Sequence, residues 1–314
     1  MRGLFFTLRV IVALAGASAS AAAQTAAVTD IVADVRAAIA KDDLAGGEAI
    51  ISRYRSTHGA TPEALAALSW IARGALAAKQ FDKANRYAVE THGLAVAALK
   101  NRKLDDDARL QTALGAAIEV QAFVRTERGA RSDAVYFLRQ ALELYRNTGI
   151  HKRIQKNINL LSLEGQPAPP LDVSEYLGRP VPSFDELKGK VVLLFFWAHW
   201  CPDCKAEGPI LAKLLESYRS KGLVIVAPTQ RFGYVVDGQP AAPDEELRHI
   251  VQVRDTYYSF LRDEPVPVSD ANHKQYGVAS TPTLALLDRQ GIVRVYHPGR
   301  MTEKELDAAI RELL

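Results

Sequence analysis

Apolar residues in the first half of the chain recur at three- and four-residue steps, alanine is abundant and helix breakers are sparse. That pattern predicts helices over 28–40, 44–57, 62–78, 81–100, 105–125, 131–147 and 150–161. Thr61-Pro62-Glu63 has the form of a helix start, with an N-cap candidate and proline in the first turn. His58-Gly59, Arg128-Gly129 and Thr148-Gly149 mark ends or turns. Beyond residue 190 the pattern changes. The unbroken apolar run over 191–197 predicts a buried strand. A helix follows over 202–218, with Pro209 inside it, where the missing N–H should kink the helix. Gly222 ends that helix, and a second buried strand is expected over 223–227. A strand, a helix and a strand in this order imply a parallel pair with a right-handed crossover. Residues 230–244 form a long loop carrying Gly233, Gly238, Pro240 and Pro243. A helix over 245–261, a strand over 284–287, the turn Asp288-Arg289-Gln290-Gly291, a returning strand over 292–297 and an amphipathic helix over 302–314 complete the chain. Residues 173–177 and 180–184 are short strand or loop segments. Gly165-Gln166-Pro167-Ala168-Pro169-Pro170 has the composition of an extended, semi-rigid linker.

The predicted organisation is therefore an all-α helical-hairpin domain over 24–164, a proline-rich entry over 165–180, and an α/β domain over 181–314. Two stretches of the helical part resemble the helix-turn-helix repeat called TPR. One is Leu68-Ser69-Trp70-Ile71-Ala72 followed by Phe81-Asp82-Lys83-Ala84. The other is Ala122-Phe123 followed by Arg131-Ser132-Asp133-Ala134. Ala84 and Ala134 take the small-residue position where paired helices approach closely. They are 50 residues apart, against a TPR period of about 34, so a generic helical bundle stands beside TPR-like hairpins as a reading. Such an array would bind a protein partner or self-associate, or simply pack its own helices.

Composition changes this picture little. With 314 residues, 48% hydrophobic and 24% charged, the chain has room for about two globular domains. A formal charge of +3 with no basic run offers nothing to nucleic acid. The N-terminal stretch matters more. Arg2 opens a short positive region, residues 4–15 are apolar apart from Arg9, and Ala17-Ser18-Ala19 and Ala21-Ala22-Ala23 both fit a small-x-small cleavage site. Residues 1–23 are expected to be an export signal, with a retained anchor as the other reading. The mature protein is expected to be exported and soluble, and periplasmic in a Gram-negative host.

The candidate chemistry lies in Cys201 and Cys204, the only cysteines of the chain, placed at the predicted strand-to-helix junction. Unpaired N–H groups and the positive end of the helix dipole favour an anion at Cys201, and the thiolate is the reactive form of cysteine. Cys204 lies one turn on along the same face, and a disulfide between the two is sterically feasible. A structural disulfide or half of a metal site are the competing readings. The loop such a bridge would close is among the shortest possible, and a tetrahedral zinc site needs about four ligands where no second cysteine pair exists. With no other cysteine in the chain, the substrate of a redox pair must be another molecule. In an oxidising compartment the pair needs an electron donor to stay reduced.

The C-terminal part, from about residue 167 onward, resembles the thioredoxin fold, and within it the TlpA/ResA-like branch of exported thiol–disulfide oxidoreductases. The resemblance rests on Leu187-Lys188-Gly189-Lys190, Phe196-Trp197-Ala198-x-Trp200-Cys201-x-x-Cys204, Glu207-x-Pro209, Thr281-Pro282-Thr283 and Asp288-Arg289-Gln290-Gly291. It implies Cys201 as the attacking thiolate, Cys204 as the buried resolving thiol and a Cys201–Cys204 disulfide in the oxidised form. It also implies Pro282 as a cis-proline facing the pair, with Thr281 offering its backbone to an extended substrate. Trp200, Pro202 and Asp203 complete the expected substrate-binding surface. In relatives with a buried aspartate on the central strand, that residue moves protons; here the matching position is Phe195, and the resemblance shifts the role to Glu207. Pro202-Asp203 departs from the residues common between the two cysteines. Asp203 opposes thiolate formation while the helix terminus supports it. His199 is expected to be a solvated loop histidine rather than a protonated partner of the thiolate, and the 230–244 loop is a variant region that could gate a partner.

The activity this implies is thiol–disulfide exchange, more reducing than oxidising, without a cofactor or metal. Disulfide-containing or thiol client proteins and an external thiol donor would be its partners. A scaffold or copper-delivery protein using the helical domain, and a thiol peroxidase, are the rival readings.

Overall fold

The computed structural model describes residues 30–314, and the expected leader over 1–23 lies outside them. In the first half the helical periodicity becomes α1 (Ile31–Ile39), α2 (Leu44–His58), α3 (Pro62–Ala77), α4 (Phe81–Ala98), α5 (Ala108–Glu127), α6 (Arg131–Leu144) and α7 (His151–Ser162). The starts follow from side-chain caps. The Thr61 hydroxyl accepts the Ala64 N–H ahead of Pro62, and Asp43 accepts the Gly46 N–H. The helix expected from residue 105 begins later, because the Asp107 carboxylate accepts the N–H groups of Arg109 and Leu110 and so caps α5 at Ala108. Three-residue turns join α3 to α4 and α5 to α6, so these are two helical hairpins. Ala84 and Ala134 are fully buried, which lets the paired helices approach closely.

In the second half β1 (Tyr176–Leu177) precedes β2 (Val191–Phe196), α8 (Pro202–Tyr218) and β3 (Leu223–Val226). Then come α9 (Pro243–Tyr257), β4 (Val266–Pro267), α10 (Asp270–Gln275), β5 (Thr283–Leu287), β6 (Val293–Pro298) and α11 (Glu303–Leu313). The main sheet has the order β3-β2-β5-β6, with β2 and β3 parallel, and β5 antiparallel to both β2 and β6. β1 and β4 form a separate antiparallel pair.

The continuity of the apolar run in β2 has a direct cause. Side chains alternate between sheet faces, and both faces are covered. Val191, Leu193 and Phe195 enter the core beneath α8, α9 and α11, whereas Val192, Leu194 and Phe196 enter a second core on the opposite face. Leu163, just past the end of α7, belongs to that second core. The helical half thus covers part of the sheet, and residues 31–314 form one compact unit. Each such fully buried large apolar side chain contributes about 1.5–3 kcal/mol of transfer free energy.

The 165–170 segment, expected to be an extended linker, turns at Gly165 and bends at Gln166, and it is tied to the sheet. The Gly165 N–H donates to Val293 O, the Val293 N–H to Gln166 O, and the Ala168 N–H to Gly291 O. Further on, the α7 and α10 helices meet, and Asn159 Nδ2 donates to the Gln275 carbonyl at 3.4 Å.

Candidate functional site

β2 delivers the chain to the site and a set of hydrogen bonds fixes its exit. Trp197 is fully buried, its indole N–H donating to Ala227 O at 3.0 Å and its backbone N–H to Pro228 O at 3.1 Å. The Thr229 hydroxyl donates to Trp197 O at 2.9 Å. Cys201 is the N-cap of α8, Pro202 takes the first helical position, and the Cys204 N–H donates to Cys201 Sγ at 3.0 Å. An orphan donor of the helix terminus therefore points at the first sulfur. Cys201 and Cys204 form a disulfide with their Cα atoms 5.3 Å apart, and both are buried. Their sequence neighbours Trp200, Pro202 and Asp203 are exposed.

Opposite the pair lies the loop before β5. The Thr281–Pro282 peptide bond is cis, and the Thr281 carbonyl oxygen is 3.3 Å from Cys201 Sγ. The fold thus brings together, from positions 80 residues apart, the sulfur and the backbone that an extended substrate would meet.

Glu207 is fully buried one turn beyond Cys204 on the same helix. Burial raises its pKa above the ordinary carboxylate value, against the opposing pull of the Met301 backbone, the Arg300 guanidinium and His297. Its Oε2 is 3.4 Å from Arg300 Nε, while Oε1 has no hydrogen-bond partner among the described residues. A carboxylate so placed is suited to take a proton from the second thiol. Glu207→Gln is expected to slow closure of the mixed disulfide by about 100-fold while leaving the first attack in place. In the wild type that closure should slow as pH falls through the raised Glu207 pKa, because only the ionised form accepts a proton, and the variant should lose this pH dependence. Rapid-quench kinetics from pH 4 to 8 checks both. Folding gives an independent readout. A raised native pKa means the native state holds the proton more tightly, so this group's stabilisation is present below the unfolded pKa and is lost as pH rises through the native one.

Two neighbours of the dithiol stand differently from what the sequence suggests: Arg300 is signalled by no motif, and His199 is not solvated. Arg300 lies between acids, its Nη1 4.0 Å from Asp203 and its Nε near Glu207. Nothing in the sequence connects a residue after β6 with the α8 terminus. His199, expected to be solvated, is 1% exposed, with Nε2 3.3 Å from Glu246 Oε1. Burial lowers its pKa, with Glu246 pulling the other way and His249 and Lys205 adding to the fall. The reason for the miss is long-range: Glu246 comes from α9, and its carboxylate also accepts the N–H groups of Phe232 and Gly233. The Phe232 ring stands edge-on to both His199 and Trp200, with centroids 5.6 Å from each. The start of the loop expected over 230–244, which ends where α9 begins at Pro243, is therefore anchored beside the site. Among the described residues, no group of three or more His, Cys, Asp and Glu side chains could hold a metal ion.

Residues 163–310 match the Redoxin family model. The chain is 33% identical over 144 residues to the thioredoxin-like protein YneN of Bacillus subtilis, covering 46% of this chain and 76% of that one. It is 28% identical over 149 residues to the thiol-disulfide oxidoreductase ResA of Bacillus thuringiensis, covering 48% and 78% respectively. A thiol:disulfide interchange protein of the thioredoxin family from Chlorobium tepidum aligns at 20% identity and a TM-score of 0.37, over 48% of this chain and 97% of that one. The alignment with YneN extends over three-quarters of that relative, and the chain belongs to the thioredoxin-like family of thiol–disulfide oxidoreductases.

Proposed function

We propose that this oxidoreductase is exported, is soluble once a leader over residues 1–23 is removed, and reduces disulfides of client proteins with electrons from an external thiol donor. The observation that carries the direction of electron flow is that Arg300, the guanidinium beside the start of α8, is engaged by acids and does not face Cys201 as a free charge. A dithiol becomes a strong oxidant when its reduced, thiolate form is stabilised. Here the helix terminus and the Cys204 N–H support the thiolate. Burial, however, disfavours the charged form of His199, and Arg300 is engaged by Asp203 and Glu207. Asp203 adds a negative charge in the first turn of α8. A weakly stabilised thiolate supports a reducing pair.

In the first step the Cys201 thiolate attacks one sulfur of a client disulfide, forming a mixed disulfide and releasing the other client sulfur as a thiolate. In the second, Cys204 gives its proton to Glu207 and attacks Cys201 Sγ. The Cys201–Cys204 disulfide forms and the second client thiolate leaves. Two electrons pass to the client, two protons complete its thiols, and the external dithiol restores the pair.

The experiment is to quench host cells in acid, label free thiols with a mass-adding maleimide and examine the protein by fraction. The expected result is a shortened chain in the exported fraction with both thiols reduced, becoming oxidised when the supply of electrons is interrupted. A pair that is mostly oxidised at steady state overturns the reducing direction. A full-length chain confined to the cytosol overturns export.

A further inference from the structure

The first turns of α7 touch the redox half at loops that surround the dithiol. Lys152 Nζ is 2.7 Å from Asp270 Oδ1 at the start of α10, and 2.9 Å from Gln230 Oε1 at the start of the loop beside His199. Between α5, α7 and the 278–280 segment lies a cleft of ≈ 510 Å³. Its floor on the redox side is the three residues that lead into Thr281, whose carbonyl meets Cys201 Sγ. Consecutive Cα atoms are about 3.8 Å apart. The cleft therefore begins one residue from the point where a substrate backbone would meet Thr281, and its three lining residues on this side reach at most about 11 Å from it.

Its lining has one sign of charge. Lys152, Arg153 and Lys156 all face it, and no carboxylate does. The carboxylates that answer these cations stand elsewhere. Asp270 is shared between Lys152 and Lys274, and Glu119 between Arg153 and Lys156. The same Glu119 is also the carboxylate felt by Arg73, largely buried on α3, whose Nε and one Nη lack hydrogen-bond partners among the described residues. One carboxylate thus serves three cations on that side; Asp105 stands behind Gly149, whose N–H it accepts, so the charged groups on the cleft lining itself are the cations Lys152, Arg153 and Lys156. A low-dielectric cleft of one sign concentrates ligands of the other.

We propose that this cleft is a second client-binding subsite, in which the helical half holds an acidic stretch of polypeptide flanking the client's disulfide cysteine. The inference rests on the reading of the clients as disulfide-bonded proteins. It gives the helical half a part in the chemistry. The cis-proline loop takes the backbone next to the client sulfur, and α5 and α7 take the acidic residues a few positions away.

The test uses the reduced protein and ten-residue peptides, each carrying one cysteine in a mixed disulfide with a chromogenic thiol. Three aspartates are placed on one side or the other of the cysteine, or replaced by asparagines. 2-Hydroxyethyl disulfide serves as an uncharged small substrate. One of the two acidic peptides is expected to react about tenfold faster than its asparagine counterpart at low salt, with the advantage shrinking as salt is added. The double variant Ala108→Glu/Thr112→Glu places two carboxylates one turn apart on the α5 wall and leaves the existing ion pairs intact. It should abolish the preference while reacting normally with the asparagine peptides and the small disulfide. Equal rates for acidic and neutral peptides in the wild type overturn the subsite, as does a preference that survives in the double variant. Reaction with the small disulfide but with none of the peptides overturns the polypeptide-client reading itself, and the subsite with it.

Discussion

Cys201→Ser is expected to abolish disulfide exchange, lowering the rate by at least about a thousandfold, whereas Cys204→Ser should preserve the first attack and stall after it. The asymmetry follows from where α8 begins. Cys201 is the residue at which the strand exit, the helix N-terminus and the Thr281 carbonyl converge, and the exposed side chains Trp200, Pro202 and Asp203 surround it. Cys204 is one turn inside, with the buried Glu207 and Gly208 on its inner side. Only the first sulfur has a neighbourhood that a bulky partner can reach. With Cys204 replaced, the mixed disulfide has no internal thiol to resolve it, so a covalent adduct with the client accumulates. Non-reducing electrophoresis of the two variants, incubated with a disulfide-bonded protein and a thiol donor, separates the roles. An adduct formed by Cys201→Ser but not by Cys204→Ser would reverse the assignment.

Gly277→Ala is the substitution expected to cost most in stability. Gly277 has φ of +61°, in the left-handed region that disfavours side chains. A Cβ there would lie 2.3 Å from Lys156 N and 2.7 Å from Lys156 Cα, both backbone atoms of α7. A helix backbone cannot yield as a flexible side chain would, so α7 must move off the redox half. The expected loss is about 3 kcal/mol or more, equivalent to a fall of roughly 5 °C or more in Tm for a unit of this size. Gly129→Ala provides the control. Its φ is +82° in the turn that closes α5, but nothing lies within 4 Å of the added atom, so it reports conformational strain alone, about 1 kcal/mol. Thermal melts of the two variants compare the terms. If they melt together, α7 is not held against the redox half as described.

The sequence and the structure agree most closely where a feature is local. β2 announces itself because both of its faces are buried, leaving six consecutive apolar residues. The dithiol and its helix follow from spacing and from Pro202 at the first helical position. The hairpin between β5 and β6 follows from Asp288 and Gly291, whose side chain and positive φ close the turn. Thr281-Pro282-Thr283 carried the cis peptide bond only through family resemblance, since spacing alone does not distinguish it from an ordinary turn. What the sequence withheld depends on distant partners. His199 is buried because an acid 47 residues away also holds the loop beside it. Arg300 joins Asp203 and Glu207 across 93 or more residues. The basic cleft needs α5, α7 and the 278–280 segment side by side, and no periodicity within any one of them foretells that arrangement.

The backbone bonds between the 165–168 segment and β6 have a bearing on how the two halves can be separated. β6 is the last strand of its sheet, and an uncovered last strand is a template on which other chains add. Gly165, Gln166 and Ala168 occupy N–H and C=O groups at the start of that strand and in the turn before it. A cut made just after the prolines would therefore leave the redox half with a raw sheet edge, as well as without the Leu163 side chain beneath it. The stretch that looks like a spacer in composition acts as a selvedge, keeping the sheet from being extended by its neighbours.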